Sequence, residues 1–259
     1  MITAAAAARS IVDAHARGHE LVTITITSGE HAGARYVSAA PDDVTGSLDE
    51  ALDRQARTLA RQVWTTRQPA YAEPLFAELH PLAEPLIIFG AGHIAVPLAN
   101  LAQGLGFQVV VLDDREEFAQ PARFAADVDV RTLDFADPLR GVQLSPRSYV
   151  LLLTRAHKYD FDCLRTVLAQ PVCPRYIGMI GSKRRVRAAF IALLDGGIPR
   201  ERLAAVHAPV GVDIGAETPA EIAVSIAAQL VQIRRGFSGS TMATDARILE
   251  RMFPENAAQ

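Results

Sequence analysis

The sequence lacks several features that would narrow its function at once. Only two cysteines occur in 259 residues, Cys163 and Cys173. That is too few for a disulfide scaffold, and their spacing matches no zinc pattern, so reduced thiols and no metal site are expected. No apolar run reaches the ~18–20 residues that a membrane span requires. Met1 to Arg9 is rich in alanine but has neither a basic leader nor a strongly apolar segment, so no export signal is read there. A formal net charge of −3 gives the whole chain no attraction to nucleic acid or acidic membranes. No G-x-S-x-G, H-E-x-x-H or P-loop sequence is present, so the common catalytic signatures are missing. A cytoplasmic protein is expected, with neither nucleic acid nor membrane as partner.

What the chain has is apolar material. Hydrophobic residues make up 49% and charged ones 21%, an ordinary globular composition with length for one large or two modest domains. The central stretch is Leu86-Ile87-Ile88-Phe89-Gly90-Ala91-Gly92-His93-Ile94-Ala95. It reads as a buried strand running through a glycine turn into a helix. The pattern is G-x-G-x-x-A. Gly90 permits the turn, Gly92 lets the backbone approach a phosphate, and Ala95 lets the helix lie close to the strand. N–H groups at the helix start then face an anion, helped by the helix dipole. A second apolar run, Phe107 to Leu112, leads to Asp113-Asp114-Arg115. Strand, helix, strand and terminal acid together specify a Rossmann-type unit. Asp113 is placed to accept from a ribose 2′-OH, which favours an unphosphorylated nucleotide, although Arg115 weakens that discrimination.

Before this stretch the pattern differs. Residues 3–17 should form an alanine-rich helix. Leu21 to Thr27 alternates, with Val22, Ile24 and Ile26 on one face and threonines on the other, as a half-buried strand does. Ala34 to Ala39 returns as a second strand. Ser47 and Glu50 suggest a capping box for the next helix, with Leu48, Leu52, Leu59 and Val63 on its apolar face, and Leu75 to Leu79 reads as another strand. Residues 1–82 are therefore a small α+β N-terminal domain, and 83–259 a Rossmann-type cofactor-binding domain. In the latter, strands are expected at Asp127–Val130, Ser148–Thr154, Tyr176–Met179 and Leu203–Val206. Helices are expected at 160–169, with Asp160 as cap, at 182–195, and from Pro219 to Arg235. Thr218 and Glu221 make a capping box for the last. Apolar strands without alternation imply a parallel sheet covered on both faces. The fold class is thus α/β, a doubly wound parallel Rossmann-type sheet of order 3-2-1-4-5-6 preceded by the small α+β domain.

Two further glycine-rich turns enter helices. Gly178, Gly181 and Ser182 precede Lys183, Arg184, Arg185 and Arg187. Cations in a first turn oppose the helix dipole by about 0.3–1 kcal/mol each. Either an anion binds there and reverses the sign, or this is a solvated basic face. The loop His207 to Thr218 contains Gly211 and Gly215. His207 and Asp213 are candidate acids or bases, or the loop needs glycine only for its conformation. Thr154-Arg155-Ala156-His157-Lys158-Tyr159-Asp160 follows the fourth strand and places polar groups near the same crevice. His93 lies within the first glycine turn. Cys163 falls beside Phe161, Leu164, Val167 and Leu168, as a semi-buried, inert thiol does.

The motifs Gly90 to Ala95, Leu112 to Ala119, Tyr176 to Arg185 and His207 to Ile226 together resemble the XdhC/CoxI family of molybdenum-hydroxylase accessory proteins, over about residues 85–236. The resemblance implies a protein that receives the molybdenum cofactor, as molybdopterin or its dinucleotide form. It would help insert the mature cofactor into the apoenzyme of a xanthine dehydrogenase- or CO dehydrogenase-like molybdenum hydroxylase, acting as a homodimer in contact with a cysteine desulfurase. Gly90, Gly92, His93, Ala95, Asp113, Asp114, Arg115, Thr154, Gly178, Gly181, Ser182, Lys183, Arg184, Arg185, Gly211 and Gly215 are the expected cofactor-binding residues. The N-terminal third departs from the family, which carries a G-S-x-P-R segment and a later G-G-C. This chain has Ser28-Gly29-Glu30-His31 and Thr45-Gly46-Ser47-Leu48 there, with no cysteine, so sulfur handling would have to use Cys163, Cys173 or a partner. The alternative is an NAD(P)-dependent oxidoreductase with His93 or His207 as proton donor. A weaker one is a module that binds a nucleotide only as a signal.

Overall fold

The computed structural model describes residues 2–237 and 239; the remainder of the expected 83–259 domain lies outside the described residues. The chain divides into two compact units, Met1–Ala83 and Glu84–Gln259.

In the first unit, α1 (Ala4–Ala16) precedes β1 (Leu21–Ile26), β2 (Arg35–Ala40) and β3 (Asp43–Thr45). They are followed by α2 (Glu50–Thr66), β4 (Ala70–Ala72) and β5 (Leu75–His80). The five strands form an antiparallel sheet of order β3-β2-β1-β5-β4. Val22, Ile24 and Ile26 pack on Ala56, Leu59, Ala60 and Val63 of α2. Alternation in β1 suggested a solvated opposite face, but that face is covered. Leu21 and Val37 there pack on Ala7 and Ala14 of α1. Thr23 is buried and its hydroxyl meets His80 Nε2 at 2.9 Å, so a polar residue sits inside by satisfying its hydrogen bond. The capping box also differs. Asp49 caps α2 by accepting from Leu52 N–H, while the Ser47 hydroxyl donates to Asp53. The helix starts too far along the chain for Ser47 to reach its end.

The second unit runs β6 (Glu84–Phe89), α3 (Ala95–Gly104), β7 (Phe107–Asp113), β8 (Asp129–Thr132), β9 (Tyr149–Leu152) and α4 (His157–Ala169). It continues with β10 (Tyr176–Met179), α5 (Lys183–Asp195), α6 (Arg200–Ala204), β11 (Val206–His207) and α7 (Pro219–Arg235). The strands pair in parallel in the order β11-β10-β9-β6-β7-β8. Numbered within the unit, this is the expected 3-2-1-4-5-6 order. Leu86 and Ile88 face the core shared with α3 and α7, and Ile87 and Phe89 face the one shared with α4 and α5. Both faces of β6 are therefore dry, which is why it reads as an unbroken apolar run. Each such side chain contributes about 1.5–3 kcal/mol by burial.

Three local readings change. β8 begins two residues later than expected, and Ala156 rather than Asp160 occupies the cap position of α4. Residues 203–206 are not one strand: Leu203 is the buried residue of short α6, and β11 has two residues. The capping box of α7 is present, and Gly236 ends that helix in the left-handed conformation. Among the described residues no helix is long and apolar enough to cross a membrane.

Candidate functional site

The strand order reverses beside β6, so the loops after β6, β7 and β9 diverge at their carboxyl ends and leave a crevice. Gly90 has φ +110°, and a Cβ there would lie 2.3 Å from the Leu153 carbonyl oxygen. Only glycine fits. Gly92 has open space in place of a Cβ. Ala95 is fully buried, which seats α3 against the sheet. No side chain caps α3. Among the described residues, the N–H groups of Gly92, His93 and Ile94 have no protein acceptor.

The crevice is a cleft of about 380 Å³ whose walls include Gly92, His93, Ile94, Arg115, Phe118, Thr154, Arg155 and Pro219. Its charged walls are arginines. Arg155 donates to Asp114 at 2.6 Å and to the Tyr159 hydroxyl at 3.0 Å. Arg115 lies 3.6 Å above the Phe118 ring centroid, a distance at which cation and π face attract. Arg123 fastens the loop from behind, donating to the carbonyls of Ala91 and Phe118.

Asp113 does not face the cleft. It is 1% exposed. Its carboxylate accepts from Ala91 N–H at 2.7 Å, from Arg115 N–H at 3.1 Å, and from Arg115 Nε and Nη2 at 2.9 and 3.0 Å. Burial raises its pKa, but the bonds from Arg115 and Ala91 outweigh that and hold the carboxyl below its ordinary range. The ribose contact expected of this acid is replaced by a role in shaping the glycine loop. Asp114 positions Arg155. Thr154 lines the cleft, while its N–H and hydroxyl both donate to buried Asp160, at 3.0 and 2.7 Å.

The other glycine turns contribute less than expected. Gly178 lies inside β10, where a Cβ would meet the Tyr176 hydroxyl at 2.6 Å and Val210 at 2.7 Å; Gly211 has the Ser225 hydroxyl at 2.3 Å. At both, neighbouring side chains occupy the space that a Cβ would need. Gly181 and Ser182 form the turn before α5, and Gly215 is exposed in its loop. Lys183, Arg184 and Arg185 are exposed, pair with no acid among the described residues, and do not line the cleft. His207 stacks on Tyr176 at 4.8 Å, and burial lowers its pKa. Asp213 is exposed on its loop. Of the three acid–base candidates, only His93 reaches the cleft. Arg155 lines the cleft as the polar stretch after β9 led one to expect, whereas Phe118 and Pro219 are cleft residues that motif spacing did not single out.

Residues 86–230 match the XdhC Rossmann domain. The chain belongs to that family. All of the cleft falls within the matched XdhC segment. The chain is 31% identical over 172 residues to the uncharacterized protein YqeB of Escherichia coli (strain K12), covering 66% of this chain and 31% of that one. It is 35% identical over 150 residues to a probable xanthine dehydrogenase subunit of Bacillus subtilis (strain 168), covering 58% and 43%. It thus spans less than half the length of these curated relatives. A xanthine dehydrogenase crystal structure from Bacillus halodurans superposes with TM-score 0.66 at 28% identity, over 95% of this chain and 67% of that one.

Proposed function

We propose that this protein is a molybdenum-cofactor-binding accessory factor, which receives the cofactor as cargo and helps mature and insert it into a xanthine dehydrogenase- or CO dehydrogenase-like molybdenum hydroxylase. Membership of the XdhC Rossmann family supports an accessory role beside a xanthine dehydrogenase. The observation that carries the cofactor reading is the cleft itself. Free N–H groups of Gly92, His93 and Ile94 and the guanidinium groups of Arg115 and Arg155 line one space, a donor set that suits the phosphate of molybdopterin. Phe118 supplies an apolar wall. The apoenzyme is the proposed partner, with this chain acting in the cytoplasm as a homodimer.

Sulfur for cofactor maturation would come from exposed Cys173 or from a partner such as a cysteine desulfurase. The first unit has no cysteine. Cys163 is fully buried, and burial with the nearby Asp160 pushes its thiol up to about 12, so it carries no thiolate at neutral pH. Co-expression with cofactor synthesis and anaerobic purification should yield protein with pterin absorbance. Protein that repeatedly comes away without a pterin phosphate would end this reading. The second reading, an NAD(P)-dependent oxidoreductase, is favoured by Gly90-x-Gly92-x-x-Ala95 and by His93 in the wall. Calorimetric titration with NADH tests it.

A further inference from the structure

The charged side chains that line the cleft are Arg115 and Arg155, and no carboxylate among the described residues lines it. The acids at and just after the end of β7 are occupied by these same arginines, Asp113 with Arg115 and Asp114 with Arg155. Each guanidinium is also held by a ring, Phe118 under Arg115 and Tyr159 under Arg155. Their side chains stay 23% and 35% exposed, so both arginines are fixed in place yet still presented to a ligand. A guanidinium donates and never accepts, and Arg115 uses only Nε and Nη2 on Asp113. The lining is therefore rich in donors.

That donor set discriminates between ligand ends. The hydroxyls of a ribose diol need an acceptor, ordinarily the free acid ending the second strand of such a sheet. Here that acid is Asp113, buried and fully engaged. A phosphomonoester only accepts, carries close to two charges at neutral pH, and can take bonds from the loop N–H groups and both arginines. At about 380 Å³ the cleft is also at the small end for ligand sites.

We propose that the cleft is built for a terminal phosphomonoester and discriminates against dinucleotides, with Arg115 and Arg155 as the specificity-determining residues. This rests on the reading that the cleft holds a phosphorylated ligand. It selects the molybdopterin form that ends in a phosphate over the form extended by a nucleotide.

The test compares 5′-AMP, which ends in a monoester, with NAD, which contains the same AMP moiety joined through a pyrophosphate. Calorimetry on the full chain should show 5′-AMP binding at least roughly tenfold more tightly, the scale of one charged hydrogen bond. Arg155→Gln should remove that preference; its partner Asp114 is 18% exposed, so no fully buried charge is orphaned. Arg115→Gln, checked for folding by circular dichroism, should do the same. NAD binding as tightly as 5′-AMP, neither binding at millimolar concentration, or a preference unchanged in Arg155→Gln would each overturn the proposal. Anaerobic recovery separates it from the accessory reading. A recovered pterin dinucleotide keeps that reading and sinks this one; no pterin, with the 5′-AMP preference intact, does the reverse.

Discussion

Asp113 and Arg115 face each other in a two-point pair at the end of β7, Nε to Oδ1 at 2.9 Å and Nη2 to Oδ2 at 3.0 Å. The same carboxylate holds the Ala91 N–H. One buried acid thus ties the glycine loop to the arginine that faces the ligand, and the geometry of the cleft depends on its charge.

Asp113→Asn should therefore destabilise the second unit by about 2 kcal/mol, since the charged hydrogen bonds of a buried carboxylate are lost and Arg115 keeps only its 3.9 Å contact to Asp114. The pH dependence follows from the lowered pKa of this carboxyl. Its stabilisation is fully present above the unfolded carboxyl value of about 4 and is lost as pH falls through the lower folded value. Urea unfolding of wild type and variant should differ by a constant amount near neutrality and converge below about pH 4. A difference that persists undiminished in acid would show that the charge is not its source.

The two glycines of the loop should respond in opposite ways. Gly90→Ala puts a methyl against the Leu153 carbonyl at a positive φ, and a loss on the order of 4 kcal/mol is expected. At Gly92 an added Cβ meets nothing within 4 Å, so Gly92→Val should cost much less than Gly90→Ala, on the order of 1 kcal/mol or less. The valine instead occupies space at the free N–H groups. Thermal melting and cofactor retention, measured on both, should separate folding from binding.

The thiols make a simple titration. Cys173 is exposed and Cys163 is not. An aromatic disulfide reagent should modify Cys173 in the native protein and reach Cys163 only on denaturation. Rapid native modification of Cys163 would mean that α4 opens readily.

The sheet was legible because its strands are apolar on both faces. Leu86, Ile87, Ile88 and Phe89 leave no solvated side, and Thr218 with Glu221 marks the start of α7 unambiguously. Short elements carry no period: α6 and two-residue β11 are too brief for Leu203 to show whether it lies in helix or strand. The β1 threonines mislead for another reason, since Thr23 is buried by a hydroxyl contact to distant His80. At the site, Gly90 and Gly92 could be read from their place between strand and helix. Gly178 and Gly211 could not, because a glycine required by a neighbouring side chain and one required by a ligand look identical in sequence. The engagement of Asp113 depends on the Arg115 side-chain conformation, to which spacing is blind.

The start of α5 offers the sharpest separation of two physical accounts. Lys183, Arg184 and Arg185 stand in its first turn without an acid among the described residues, where the helix dipole disfavours them. They lie outside the cleft, so Arg184→Glu with Arg185→Glu should stabilise the fold by about 0.3–1 kcal/mol per site at low salt. The gain should shrink as salt screens it. Binding of 5′-AMP should stay at the wild-type level, because Arg115 and Arg155 remain in place. Calorimetry at two salt concentrations, beside urea unfolding, decides the matter. If binding instead weakens in a salt-dependent way, these cations reach the ligand and the anion site extends from the β6 loop to the α5 start.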